Sequence, residues 1–455
     1  MNDKSINVHR VLAAGDRSHS QDGFKANANF NSESTNLWQP KRVLTLDGNG
    51  SQGLFSLYVL EALMNKVEQI EKQLYPPASS SASSPLWRVE TTLLSETSDR
   101  RKEVWQSPPR SYRPCHYFDY ITGASTGGMI AVMLGVKRLT VAEAINHAEK
   151  IFDGLASQKR RKNSRLLTRN LQRALEEDVS RSARIPFLRS MMFSTGREQR
   201  RTNRGNILEG DTYGCRTMVF TTHKASSGNE PYLFRSYRVT GHSVLNAETQ
   251  TWEAPIIDTC RASLAYPGCF NSVEVGDLGT FRDADVLDID PALETYNELE
   301  QINGRQDGNF QCFLSIGTGV SCSGSERNGK LSMRYNEYPT RSILERNARK
   351  HKFRYERICW LDEVARPSKD LYFAANVRQN ARACMPRLEQ RLETWALELV
   401  HYRRNRAQTM RWELYVSLRI ACPFCSEKLE RDHLINHLGK MHADDVGRSQ
   451  QSRTV

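Results

Sequence analysis

The sequence predicts an α/β protein with a mostly parallel central sheet, followed by a helical C-terminal region. Three observations carry that expectation. Short apolar, β-branched runs alternate with helical patterns between Lys41 and Val320, the order of units whose strands pair in parallel. Two of these runs end abruptly in glycine-rich turns that lead straight into a helix. From Arg341 to Ile420 the chain is charged and helix-prone, with few glycines.

The elements follow in chain order. Residues 1–38 are rich in Asn, Ser, Asp and Gly, lack apolar periodicity, and are expected to be disordered. Arg42–Leu46 (RVLTL) is a strand candidate that stops at Asp47-Gly-Asn-Gly-Ser-Gln-Gly53. Leu54 to about Leu74 places Leu57, Leu60, Met64, Val67 and Ile70 on or near one helical face. Pro/Ser-rich residues 76–115 read as an insertion. A second strand candidate, Tyr117–Thr122, runs into Gly123-Ala-Ser-Thr-Gly127 and then an apolar helix over Gly128–Leu134. Residues 157–205 read as a second insertion, and Thr217–Thr222 and Gln311–Ile316 as further strands. The expected division is one α/β domain over 41–330, a charged helical region over 335–420 and a small module over 421–445.

Composition narrows the class. At 455 residues the chain is two to three times the usual domain size. Mean hydropathy is −0.61, and no run approaches the ~18 consecutive apolar residues of a membrane span. The first 40 residues contain no apolar secretory core. An integral membrane protein, a collagen-like repeat and a small disulfide scaffold are excluded. Ten cysteines, eight of them scattered, fit buried thiols in a reducing compartment. The expected location is cytoplasmic, with peripheral contact at membranes. Fourteen Lys/Arg against four Asp/Glu between Ser157 and Gly205 supply +10 of the total +12. Such a block is either a surface for anions or a solvated insertion.

The chemistry centres on Gly123-Ala-Ser125-Thr-Gly127. A nucleophilic serine on a strand-to-helix turn needs glycines beside it, because neighbouring backbone passes too close for a Cβ. The helix that follows turns its amide end toward the serine, where negative charge develops during acyl transfer. A serine hydroxyl also needs a base. His223 and His242 lack a distinctive turn context, and His351 and His401 fall in the charged helical part. A carboxylate in direct contact is the alternative. Asp283, in Phe281-Arg-Asp-Ala-Asp-Val286, is the best placed.

Five motifs in order now resemble the patatin-like phospholipases. They are Asp47–Gly53, the Gly123–Gly128 turn, Arg261–Phe270, the Asp283 segment ending in Asp290-Pro291, and Ser315-Ile-Gly-Thr-Gly319. The resemblance runs from about Lys41 to Val320 and implies a three-layer α/β fold. It implies a Ser-Asp dyad acyl hydrolase acting on phospholipids or related lipid esters. No carboxylate cluster suggests a calcium site, so catalysis is expected to need no cofactor. By position Ser125 would be the nucleophile, Asp283 its base, and the amides of Gly48, Asn49 and Gly50 the oxyanion hole. Gly123 and Gly127 would form the nucleophile elbow. Three departures stand out. Where the family loop reads D-G-G-G-x-R-G, Asn49 replaces a glycine and Gln52 the arginine. Asn tolerates positive φ best among non-glycine residues, at a cost of about 1 kcal/mol. At the acid, Asp283-Ala-Asp285 replaces D-G-G or D-G-A, and the second carboxylate is expected to raise the pKa of the first.

Near the C-terminus, Cys422, Cys425, His437 and His442 follow C-x₂-C-x₁₁-H-x₄-H, one residue short of the common C₂H₂ spacing. Two thiolates and two imidazoles are the ligand set of a closed structural zinc site. His433 is the competing ligand. Between Ser426 and His442 three basic residues balance three acidic ones, so a protein partner fits this finger better than sequence-specific DNA. Two functions from different classes result. One is a lipid acyl hydrolase whose basic segment meets anionic membrane. The other is a catalytically degenerate regulatory or interaction protein acting through its zinc finger.

Overall fold

In a computed structural model of the chain, the described residues are 37–74, 112–156, 164–182, 207–208, 214–239, 251–304, 308–317, 339–359 and 374–407, with 412, 415, 419–421, 428–430, 437 and 441. The chain divides into two compact units. One comprises residues 37–67 and 109–418 and carries the central sheet. The other comprises 1–36, 68–108 and 419–455. The segment 1–36 and most of 76–115, expected to be disordered and inserted, lie outside the described residues.

The first unit begins with β1 (Lys41–Leu46), whose Val43, Leu44 and Leu46 are fully buried. Burial on both faces marks a central strand in a mostly parallel sheet. Helix α1 (Leu54–Leu74) follows, as the apolar spacing predicts. Strand β2 (Tyr120–Ala124) begins three residues later than the apolar run suggests. The amides of Tyr117 and Phe118 are taken by the Pro114 carbonyl, so the first part of that run is a turn. The strand then continues through Gly123, which pairs with Leu46 on β1 and Val219 on β3, and Ala124, which pairs with Phe220 on β3. Helix α2 (Thr126–Ala131) passes into a π-turn over Val132–Val136.

Beyond it come α3 (Val141–Ala156), α4 (Ser164–Ser182), β3 (Arg216–Ala225), β4 (Gly228–Arg235) and α5 (Ile256–Ser263). Then follow β5 (Val273–Glu274), β6 (Thr280–Asp283), α6 (Pro291–Asn303) and β7 (Phe310–Gly317). Helix α6 starts where Asp290 accepts from the Ala292 amide at 2.8 Å, with Pro291 in the first turn. That is the cap and the proline position a helix start favours. Helix α4 lies inside the segment expected as an insertion. Its Leu171 and Leu175, four apart, are buried, and the helix packs against α3 and α5. It carries four arginines against three acidic residues, so most of the basic block lies outside the described residues.

The strand order is β5-β6-β3-β2-β1-β7-β8, with β4 paired to β3. Strands β3, β2, β1, β7 and β8 run parallel, and β4, β5 and β6 join antiparallel. Side chains alternate across a strand, and helices cover both faces. The π-turn meets Ile121 and Thr217 at Gly135. Opposite, Tyr120, Met218 and Phe220 pack with Ala292, Tyr296 and Leu299 of α6. The result is helix, sheet, helix.

Residues 335–420 depart from the expected separate helical region. After α7 (Pro339–His351), strand β8 (Arg354–Cys359) extends the sheet parallel to β7. Helix α8 (Ala374–Ala407) then buries Val377, Ala381, Cys384, Leu388, Leu392, Trp395 and Leu399, a three-four spacing that makes one apolar stripe. Trp395 Nε1 donates to Glu356 on β8, and Arg391 pairs with the same carboxylate. This stretch belongs to the sheet unit. No described helix is long and apolar enough to cross a membrane.

In the second unit, β9 (Arg419–Ala421) and β10 (Lys428–Glu430) pair antiparallel. The residues joining them include Cys422 and Cys425. Those cysteines and His442 lie outside the described residues, whereas His437 is described and partly buried. Among the described residues no group of three metal-ligating side chains forms a site.

Candidate active site

Ser125 and Asp283 are brought together by strand geometry. Phe220 on β3 pairs with Ala124 of β2 on one edge and with Leu233 of β4 on the other. The next residue, Thr221, pairs with Tyr232 of β4 and with Asp283 of β6. Strands β2 and β6 therefore share one edge of β3, end to end. Ser125 leaves β2 just where Asp283 arrives on β6.

Ser125 Oγ donates to Asp283 Oδ2 at 2.8 Å, and both residues are 2% exposed. Ser125 holds φ 52°, ψ −129°, a conformation that L-residues with a Cβ rarely adopt and that costs of order 1–3 kcal/mol. The glycines around it meet the predicted need. A Cβ on Gly123 would lie 2.3 Å from the Gly127 carbonyl, and one on Gly127 would lie 2.0 Å from the Leu46 oxygen. The Ser125 carbonyl accepts from Ser263 Oγ at 2.6 Å and from the Gly128 amide at 3.0 Å. Ser263 comes from α5 and lies within a recognised motif, but nothing in its spacing gives it this task.

Asp283 is equally well fixed. Its amide donates to the Ala265 carbonyl, its carbonyl accepts from Thr222 Oγ1 at 3.0 Å, and its Oδ1 accepts from the Asp285 amide at 3.0 Å. Burial pushes its pKa up to about 7, against the opposing pull of hydrogen bonds from the Asp285 amide, the Ser125 hydroxyl and the Ala284 amide. The rise expected from the Asp285 charge is instead a rise caused by burial. The like charge is felt by Asp285 itself, whose pKa is raised by burial first, then by Asp283 and Asp47. Ala284 opens a short 3₁₀ turn, a conformation any L-residue adopts.

The glycine-rich loop after β1 faces this pair. A Cβ on Gly48 would lie 2.1 Å from Ser125 Cβ and 2.6 Å from its hydroxyl, so only glycine fits. Asn49 takes φ 85°, ψ 55°, and Gly50 φ 58°. The two departures from the family loop contact each other: Asn49 Nδ2 donates to Gln52 Oε1 at 3.0 Å, and the Gln52 amide donates to the Asn49 carbonyl. Thr126 Oγ1, next to the serine, donates to the Gly50 carbonyl at 2.8 Å.

The histidines sit in other roles. His223 packs in an aromatic cluster with Tyr232 and Phe281. His401 contacts Tyr402 and Asn405 on α8. His351 ends α7, and His242 lies outside the described residues. The contact sequence reasoning missed is Arg357 on β8, which pairs with Asp47 through both terminal guanidinium nitrogens, Nη1 and Nη2.

Residues 89–295 match the family model described as patatin-like phospholipase, a span that includes Ser125 and Asp283 and begins after the Asp47–Gly53 loop. The chain is 22% identical over 284 residues to calcium-independent phospholipase A2-gamma of Oryctolagus cuniculus, matching 61% of this chain. The chain spans 28% of the length of that relative. Among solved structures it is similar to VipD from Legionella pneumophila at 11% identity and a TM-score of 0.30, covering 77% of this chain and 67% of that one.

Proposed function

We propose that the chain, whose residues 89–295 match the patatin-like phospholipase model, is a lipid acyl hydrolase working through an acyl-serine. The observation that carries the proposal is the 2.8 Å hydrogen bond from Ser125 Oγ to Asp283, on a strained turn facing the Gly48–Gly50 loop.

In the proposed reaction, Asp283 takes the proton as Ser125 Oγ attacks the ester carbonyl carbon of a phospholipid or related lipid. The amides of Gly48, Asn49 and Gly50 receive the oxyanion. Collapse breaks the ester C–O bond, and Asp283 returns the proton to the departing alkoxide. Water then attacks the acyl-serine, gives its proton to Asp283, and releases the fatty acid as Ser125 is restored. A carboxyl with a pKa near neutrality accepts and returns a proton with little energetic mismatch at either step. Removing one oxyanion donor from such a site typically costs about 10²–10³ in rate.

The catalytic reading is favoured over a degenerate one because each departure is accommodated. Asn49 and Gln52 satisfy one another, and Ala284 needs no unusual backbone. A zinc module is the companion proposal: Cys422, Cys425, His437 and His442 would bind one structural Zn²⁺. The β9–β10 pair brackets the two cysteines as the strands of such a finger would. The ion would supply folding energy to this module, and a protein partner is its proposed target. Turnover of a fluorogenic phospholipid by wild type and its loss in Ser125→Ala test the catalytic proposal. Equal turnover by the two would end it.

A further inference from the structure

The loop proposed to receive the oxyanion is fastened at both ends. Its far end is held by Thr126 and by the Asn49–Gln52 pair. Its near end depends on Asp47. The Asp47 amide donates to the Ile316 carbonyl at 3.1 Å, carrying the β1–β7 pairing one residue beyond β1. The Asp47 carboxylate receives Arg357 Nη1 on Oδ1 at 2.9 Å and Arg357 Nη2 on Oδ2. The same Nη1 donates to Ser315 Oγ at 2.6 Å.

Register explains the reach. Thr45, Ser315 and Arg357 stand opposite one another across β1, β7 and β8. Asp47, two residues past Thr45, comes from the same face, so Arg357 crosses β7 diagonally to meet it. Gly317 leaves the room: a Cβ there would lie 2.3 Å from Asp47 Cγ. Ser315 and Gly317 of the fifth motif thus both serve Asp47.

We propose that Arg357 is a positioning residue for acyl transfer, holding the Asp47 end of the loop and neutralising the carboxylate at its base. The inference rests on the reading that the Gly48–Gly50 amides meet the oxyanion. A two-pronged guanidinium–carboxylate contact fixes direction as well as distance, and Gly48, which follows Asp47, lies directly against Ser125. Burial, the largest single influence, opposes the Arg357 charge, but the Asp47 charge and hydrogen bond, together with Cys359 and Asp290, hold the guanidinium protonated. Without this partner, a buried, uncompensated carboxylate would be left at the base of the loop, and its desolvation cost would pull the Asp47 end out of place. Lysine would restore the charge but not the fork.

The test compares wild type, Arg357→Lys and Ser315→Ala on a p-nitrophenyl ester of a medium-chain fatty acid, with thermal unfolding alongside. In Arg357→Lys, kcat should fall about 10- to 100-fold, the scale of a misplaced reacting geometry, with KM held within about threefold. Fluorophosphonate labelling of Ser125 should slow by a similar factor. Ser315→Ala should lose several-fold in kcat at an almost unchanged melting temperature. A folded Arg357→Lys with kcat within about twofold of wild type overturns the inference. If that variant does not fold, Ser315→Ala decides: a several-fold loss supports the inference and an unchanged kcat overturns it. An active wild type with indifferent variants removes this inference alone. A wild type that neither turns over ester nor labels removes the parent reading and this one with it.

Discussion

Asp283 meets Ser125 because it occupies the position on β3's edge directly beyond the end of β2, one pairing step after Ala124. Ser125 and Asp283 are 158 residues apart in sequence, and their side-chain oxygens are 2.8 Å apart in space. The sheet, not a flexible loop, sets that distance.

The Ser125 turn predicts a split between two inactive variants. Ser125→Ala and Ser125→Gly should both lose ester turnover by at least ~10³-fold, since either removes the nucleophile. They should differ in stability. At φ 52° glycine is unstrained and alanine is not, so Ser125→Gly should be the more stable by about 1 kcal/mol or more. Chemical denaturation of the pair checks this.

The raised carboxyl predicts the pH response. Asp283 must be ionised to act as base, so kcat/KM should climb between pH 5 and 8 with a midpoint near its pKa of about 7. The limb belongs to the Asp283–Asp285 pair; burial, not the Asp285 charge, raises Asp283, and Asp285 is held protonated still higher, so Asp285→Asn should leave the midpoint almost unchanged. The sign for stability is opposite to that of a paired surface carboxylate. A pKa raised in the folded state means the native protein holds the proton longer, so this group's contribution falls as pH rises from about 4 to 7. Asp283→Asn should therefore be inactive, yet more stable than wild type at pH 8. Melting curves at pH 5 and 8 would show it.

The loop departures predict a graded series. Asn49→Gly keeps the positive φ and loses only the side-chain bond to Gln52, so it should retain most of the activity. Asn49→Ala is strained at φ 85° as well. It should be less stable by about 1–2 kcal/mol and slower in kcat. Parallel kinetics and denaturation of the two variants distinguish strain from the lost contact.

The C-terminal signature predicts one zinc per chain by elemental analysis, lost in Cys422→Ser and on chelation. Ester turnover should persist in Cys422→Ser, because none of the groups proposed to act in catalysis lies in that module. Zinc content unchanged by the substitution would remove the assignment.

Much of the site was legible because it is local. The glycines at 123 and 127 and the serine between them answer to one tight turn, and five motifs in order placed the acid. Arg357 was not legible. Its segment, Arg354–Cys359, reads as charged and helix-prone, yet it is an edge strand with two different faces. Arg354 and Glu356 turn to α8 and pair with Glu398 and Arg391, whereas Tyr355 packs against the core and Arg357 reaches Asp47. Charges satisfied by distant partners hide the alternation that marks a strand. The start of β2 was misplaced for a smaller reason: a proline carbonyl captured two amides that the apolar run alone would have assigned to pairing.

The most direct test of the central claim is active-site labelling. A fluorophosphonate probe applied to wild type, Ser125→Ala and Asp283→Asn, with the modified peptide mapped by mass spectrometry, reads nucleophile and base together. The account predicts a single adduct on Ser125 in wild type, none in Ser125→Ala, and labelling slowed at least ~10²-fold in Asp283→Asn, the lower end of what a general base contributes. An adduct that persists in Ser125→Ala, or wild-type labelling at full rate after loss of the Asp283 carboxylate, would contradict it.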